Sequence, residues 1–238
     1  MSYILLKRIC DLAFSIISLI LLIPILIPII LILKFTSEGE IFYFQKRVGK
    51  EGKPFAMIKF ATMLKNSPNM SFGTMTLPND PRVTRFGALL RKTKINELPQ
   101  ILNVIKGDLS VIGPRPLPQN EFDLYNLNVK DFISQMRPGI TGIGSLIFRN
   151  EEGIIANNKP ENPKIFYENV ILPYKGSLEL WYYENTSFST DITILFLTFL
   201  SVIKSNSQIV YKVFKSLPKR PDELSVDWIN KSADHKWS

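Results

Sequence analysis

The sequence predicts an α+β fold that is mostly helical. It should have an N-terminal membrane-inserted helix broken at Pro24, one small β-hairpin, and later helices of which some suit a membrane interface. Three observations predict this. Residues 12–33 form an apolar run without charge, LAFSIISLILLIPILIPIILIL. Two strand-like runs, Ile41–Gln45 and Pro54–Phe60, flank a turn at Gly49–Gly52. Further on, apolar residues recur at helical spacing, as in Leu98, Ile101, Leu102 and Ile105.

The apolar run comes first. As a straight helix, Leu12–Leu33 would be about 33 Å long, enough to span a bilayer. Lys7, Arg8 and Asp11 precede it and Lys34 follows. Pro24 and Pro28 each lack an N–H and clash with the carbonyl four residues back, so a kink is expected. Two readings stay open: a spanning anchor, and a segment that dips in and returns to the same face. Cations at both ends allow the second. No small-residue cleavage site follows the run, which argues against a cleaved signal peptide.

After the hairpin, Lys65–Pro81 is polar and reads as a loop. Thr84–Arg91 and Glu97–Lys106 read as helices. Pro114, Pro116 and Pro118 end regular structure. Glu121–Ile133 reads as a helix, Arg137–Gly142 as a loop and Asn150–Pro163 as a polar excursion. Thr190–Lys204 is an apolar helix too short to span comfortably. Ser207–Leu217 alternates apolar and cationic residues at helical spacing, so it either lies flat on an anionic membrane or packs in a core. Residues 218–238 read as a charged tail.

Composition narrows the chemistry. The chain has 238 residues, 45% of them hydrophobic, and a formal charge of +8. A basic balance suits nucleic acid, anionic lipid or phosphorylated small molecules. The basic residues lack the aromatic interleaving of a base-stacking surface. One cysteine, Cys10, excludes an intrachain disulfide. One histidine, His235, excludes a multi-histidine metal site, so acid–base work falls on carboxylates. A hard cation on oxygen ligands stays compatible.

The chemistry concentrates in Arg91–Pro116, RKTKINELPQILNVIKGDLSVIGPRP. Glu97 follows Asn96 at the start of an apolar-patterned helix. One reading makes Asn96 an N-cap and Glu97 a first-turn acid. The other weighs the nearby cations Arg82, Arg85, Arg91 and Arg115, whose forks match phosphate oxygens. Asp108 is either a turn residue or a ligand. Arg115 sits between two prolines, which lowers the entropy cost of aiming its guanidinium. Lys59 and Arg137 are further candidate anion contacts.

The order of these motifs resembles a known family. Lys7-Arg-Ile-Cys-Asp11, the proline-broken apolar segment, Gln45-Lys-Arg-Val-Gly49, Lys59-Phe60, Asp80-Pro-Arg-Val-Thr-Arg-Phe-Gly87, Arg91–Pro116 and Arg137-Pro-Gly-Ile-Thr-Gly142 occur in one series. That series is similar to the bacterial sugar transferases, monotopic phosphoglycosyl transferases, over roughly residues 4–206. The resemblance implies transfer of a sugar 1-phosphate from a nucleotide sugar, by expectation a UDP-sugar, to undecaprenyl phosphate. UMP would be released, as the first membrane step of a surface glycan. It implies Mg²⁺, held at Asn96 and Glu97, and a re-entrant helix broken at Pro24.

It also implies residues 1–35 as the membrane element, 36–217 as a catalytic domain on the cytoplasmic face of the inner membrane, and 218–238 as a tail. The implied catalytic residues are Glu97, Asn96 and Asp108, and Arg91 and Arg115 fall on the family's phosphate-binding positions; Lys59, Arg82, Arg85 and Arg137 are the further candidates for phosphate. Nucleotide sugar, undecaprenyl phosphate and anionic lipid are the expected partners; a homodimer is compatible and nucleic acid is not expected. One departure matters. The family's Asp-Glu dyad falls on Asn96-Glu97, and an amide is a poor nucleophile. Glu97 as nucleophile, direct transfer between substrates, and a weakly catalytic binder are three open routes. The alternative function is a non-catalytic membrane adaptor.

Overall fold

The computed structural model describes residues 3–36, 38–67, 80–158, 160–203 and 208–224. The chain divides into two compact units, one of Ser2–Arg47 with Pro54–Leu109, the other of Val48–Lys53 with residues from Ser110 onward.

In the first unit, helix α1 runs from Tyr3 to Thr36 and holds both prolines inside it. Neither proline ends the helix, although each deletes one backbone donor. Strands β1 (Phe42–Val48) and β2 (Pro54–Phe60) form the predicted antiparallel hairpin. Phe42 stacks on Phe60 across it, with ring centroids 5.7 Å apart. Helix α2 (Arg85–Lys92) begins where Thr84 Oγ1 accepts the Gly87 N–H at 2.9 Å. It ends as Lys94 adopts a left-handed backbone, φ 60° and ψ 11°. Helix α3 (Gln100–Lys106) starts after Pro99 and stops at Gly107, whose φ of 95° suits glycine.

The expected helix Glu97–Lys106 is therefore two pieces. Asn96 and Glu97 lie in a separate 3₁₀ turn, Ile95–Glu97, and Pro99 is the residue that opens α3. Asn96 is not its N-cap.

Ile29 and Leu33 of α1 join Phe60 and Leu90 in one buried cluster, with Leu26, Ile30, Phe86 and Ile95 against it. Near the other end of α1, Arg8 donates to the carbonyls of Val104 and Ile105 at 2.7 and 3.1 Å. These are among the last carbonyls of α3, which the helix itself cannot satisfy.

In the second unit, β3 (Ser110–Ile112) pairs in parallel with β4 (Gly139–Thr141), Ser110 opposite Gly139 and Ile112 opposite Thr141. The expected loop at Arg137–Gly142 thus contains a strand; three residues are too few to register as a strand pattern. The expected helix Glu121–Ile133 is two helices, α4 (Gln119–Phe122) and α5 (Leu127–Ser134). The break is at Asn126, which caps α5 by accepting the Val129 N–H at 2.9 Å.

Helix α6 (Ile143–Ile147) follows β4. The expected excursion at Asn150–Pro163 is largely helix α7 (Glu151–Asn158). Helix α8 (Pro163–Phe166) leads through a π-helical turn, Tyr167–Ile171, into α9 (Leu172–Glu184). Pro173 lacks the N–H that would continue the α ladder there. Helices α10 (Phe188–Ile203) and α11 (Gln208–Val213) close the described chain. Helix α10 buries Ile194 and Leu197 and exposes Phe188, Ile192, Phe196, Phe199 and Val202. Residues 68–79, most of the expected Lys65–Pro81 loop, and most of the expected tail lie outside the described residues.

Candidate functional site

Within the first unit, Lys59 reaches Glu97 from β2, Nζ to Oε1 3.9 Å. The 3₁₀ turn between α2 and α3 presents that carboxylate. Asn96, one residue earlier, is turned inward: it is buried, and its Oδ1 has no hydrogen-bond partner among the described residues. A buried orphan acceptor costs free energy unless something else satisfies it.

The surrounding polar groups hold this arrangement. Asn103 of α3 is fully buried. Its Oδ1 accepts the Ile58 N–H at 2.9 Å, and its Nδ2 donates to Ala56 O at 2.8 Å and Asp108 Oδ2 at 3.0 Å. Asn103 thereby ties the strand that carries Lys59 to the helix behind Glu97. Asp108 is engaged by this amide, with Lys106 3.8 Å away.

Arg82 is buried, and its Nε and Nη2 donate to both oxygens of Asp80, Nη2 at 2.6 Å. These hydrogen bonds hold the Asp80 carboxyl below its ordinary range, and Arg91 adds to the effect. That face of the Arg82 fork points at Asp80. Arg85 is exposed and Arg91 half-exposed on α2.

In the second unit, the β3–β4 pairing brings Gly113-Pro-Arg-Pro against Arg137-Pro-Gly: Gly139 N–H donates to Pro114 O at 2.8 Å. The Arg115 side chain is exposed and Arg137 half-buried. The Arg115 N–H donates to Glu179 Oε1 at 3.4 Å. Burial pushes Glu179 up to about 7, against the pull of Arg115 and Lys175.

Sequence reasoning missed Asn103, Asp80, Arg8 and Glu179. A polar residue on the buried face of α3 was the available signal for Asn103. The other three are defined by partners distant in sequence, except Asp80, which stands two residues from Arg82.

Comparison with known proteins decides the family. The bacterial sugar transferase family matches residues 2–205. The chain belongs to the bacterial sugar transferase family. It is a phosphoglycosyl transferase. The exopolysaccharide production protein ExoY of Sinorhizobium fredii is 32% identical over 213 residues, covering 84% of this chain and 86% of that protein. The uncharacterized sugar transferase EpsL of Bacillus subtilis is 37% identical over 200 residues, 84% of this chain and 88% of that protein. The undecaprenyl-phosphate galactose phosphotransferase of Salmonella typhimurium is 33% identical over 214 residues, 84% of this chain but 40% of that longer protein. Of this family member's described helices, α1 alone is long and apolar enough to cross a membrane.

Proposed function

We propose that this chain transfers a sugar 1-phosphate from a UDP-sugar to undecaprenyl phosphate at the cytoplasmic face of the bacterial inner membrane, releasing UMP and starting a surface glycan. One observation carries the reading. The Lys59–Glu97 site shares a compact unit with the apolar helix α1, and Arg8 bonds that helix to α3. A water-soluble donor and a lipid acceptor must meet where a charged site adjoins a membrane element. The names of the Salmonella relative and of an Aeromonas hydrophila relative, a UDP-N-acetylgalactosamine-undecaprenyl-phosphate N-acetylgalactosaminephosphotransferase, supply the substrate classes.

The membrane element is re-entrant in this reading. Arg8 near one end of α1 and Ile29 and Leu33 near the other contact the same unit. Ile16, Ile17, Ile20 and Leu21 between them are exposed. With a bend where Pro24 and Pro28 lack donors, both flanks lie on one side of the bilayer while the middle enters it. The exposed row Phe188, Ile192, Phe196, Phe199 and Val202 on α10 suits the apolar boundary of a membrane.

The reaction is a direct displacement. A lipid phosphate oxygen attacks the phosphorus that bears the sugar. The bond from that phosphorus to the oxygen of UMP breaks, and its electron pair leaves with UMP. Phosphoryl transfer depends chiefly on positioning and charge stabilisation, which cations supply. Lys59, Arg85, Arg91, Arg115 and Arg137 are the candidates for phosphate contact; Arg82, held by Asp80, orients the segment entering α2. Asp108 acts through Asn103.

Mg²⁺ is compatible with the chemistry of the Asn96–Glu97 turn: an unpartnered amide oxygen and the carboxylate one residue on are oxygen donors of the kind this cation takes. Among the described residues no three His, Cys, Asp or Glu side chains converge, so the diphosphate would complete the coordination. Bound there, the cation would neutralise charge on the diphosphate.

The test is UMP release with Mg²⁺, undecaprenyl phosphate and a panel of UDP-sugars. Release should need the lipid acceptor. UMP released by donor and enzyme alone, with a mass adduct on a peptide containing Glu97, would replace direct displacement by a covalent route. No release with any donor would sink the functional reading.

A further inference from the structure

We propose that Glu179 is a positioning residue for the transfer: its buried carboxyl group anchors the backbone of the Gly113–Pro116 loop and so sets where the Arg115 guanidinium stands. The proposal rests on the reading of Arg115 as a phosphate contact.

Four observations support it. Prolines 114 and 116 have no N–H, so Arg115 carries the one backbone donor of the Pro-Arg-Pro segment, and that donor points at Glu179 Oε1 at 3.4 Å. The carboxyl is 3% exposed, and its Oε2 has no hydrogen-bond partner among the described residues. A buried carboxyl with half its bonding capacity idle is a poor stabiliser of a fold. The chain also makes room for it: a Cβ on Gly144 would stand 2.5 Å from Oε1. Finally, the loop is seated without slack, since a Cβ on Gly113 would stand 2.6 Å from Arg137 O. Helix α9, the start of α6 and the Pro-Arg-Pro segment therefore converge on one carboxyl group.

The groups around it are defined. Lys175, one turn earlier on α9, is itself buried and bound to Glu151 of α7 at 2.5 Å, with the Phe148 and Tyr167 rings beside its ammonium. The buried hydroxyl of Tyr125, before α5, lies within the field of Glu179. None of these replaces the carboxyl as acceptor for the Arg115 N–H in the hydrogen bonds described. A guanidinium that must meet a phosphate gains from a backbone held before substrate arrives.

The experiment compares the wild-type chain with Glu179→Gln, Glu179→Asp, Glu179→Ala, Arg115→Ala and the Glu179→Ala/Arg115→Ala pair. The first measurement needs no activity. Hydrogen exchange at the Arg115 amide should quicken about tenfold in Glu179→Ala and Glu179→Asp and stay within roughly threefold of wild type in Glu179→Gln, which keeps the acceptor in place. The second is UMP release. Glu179→Ala should lower kcat/KM by about tenfold or more. The paired variant should be within about twofold of Arg115→Ala, because groups that act as a unit are not additive.

Losses that multiply in the paired variant overturn the proposal. So does unchanged exchange at Arg115 in both the Ala and Asp variants; if Glu179→Ala does not fold, the contrast between Asp and Gln decides alone. A wild-type chain that releases no UMP strikes the functional reading instead, and the exchange measurement still decides whether Glu179 holds the loop.

Discussion

Lys94 holds a left-handed backbone directly ahead of the 3₁₀ turn that carries Asn96 and Glu97. A non-glycine residue pays for this conformation, and glycine is usual just past a helix end. Lys94→Gly should therefore stabilise the chain by about 1 kcal/mol, read from the denaturant midpoint in detergent. A loss would mean that the lysine side chain has a structural role of its own.

Asn103 works the other way. It serves two backbone groups and Asp108, so Asn103→Ala should cost about 2–4 kcal/mol by stranding buried groups. At the chemistry itself, Glu97→Gln should lower turnover by about a hundredfold or more. Asn96→Asp should permit UMP release before acceptor is added, because it restores a carboxylate where the chain has an amide.

Glu179 sets a pH dependence of stability. Its folded value is about 7 against an ordinary 4.5, so between those pH values the folded chain holds a proton that the unfolded chain has lost. Stability from this group is full below about 4.5 and declines as pH rises through about 7, by about 3 kcal/mol at most. Thermal midpoints of wild type and Glu179→Gln should lie closest near pH 4.5, separate between about pH 4.5 and 7, and keep a constant gap above that. Parallel curves would mean that this carboxyl does not titrate in that range.

At the scale of elements, α1 and α3 are joined through a cap. The guanidinium of Arg8 takes two carbonyls that α3 cannot satisfy alone. Arg8→Met keeps the stem and removes the donors. It should cost about 1–2 kcal/mol and speed hydrogen exchange in α3 before it does so in the hairpin.

The hairpin, α2 and α10 were legible because their signals are local: alternation, a turn, a capping threonine, a dense apolar period. The break between α4 and α5 was hidden by apolar residues that keep helical spacing across it, and Asn126 caps only if the chain already turns there. Strand β4 was hidden for a different reason. Its three residues gain their ladder from β3, which lies 29 positions away in sequence.

At the scale of the whole molecule, the re-entrant reading predicts that both flanks of α1 face the same side of the membrane. Cys10 is the one cysteine and is exposed, which makes it a ready probe on the N-terminal flank of the apolar run. Thr36→Cys in a Cys10→Ser background probes the other flank. A membrane-impermeant maleimide should label both from the same side of sealed inner-membrane vesicles. Labelling from opposite sides would make α1 a spanning helix and would move the site's two flanks apart.

By itself the sequence determined the long apolar helix, the hairpin, the basic character of residues 91–116 and the family, because each rests on residue type and short spacing. Tertiary structure alone decided the rest. It turned Asn96 inward and left Glu97 to meet Lys59. It joined Arg8 to a carbonyl 96 residues on, and brought Glu179 to the backbone of Arg115 from 64 residues away. A buried polar atom must find a partner, and which one it finds depends on the path of the chain in space rather than on its neighbours in sequence.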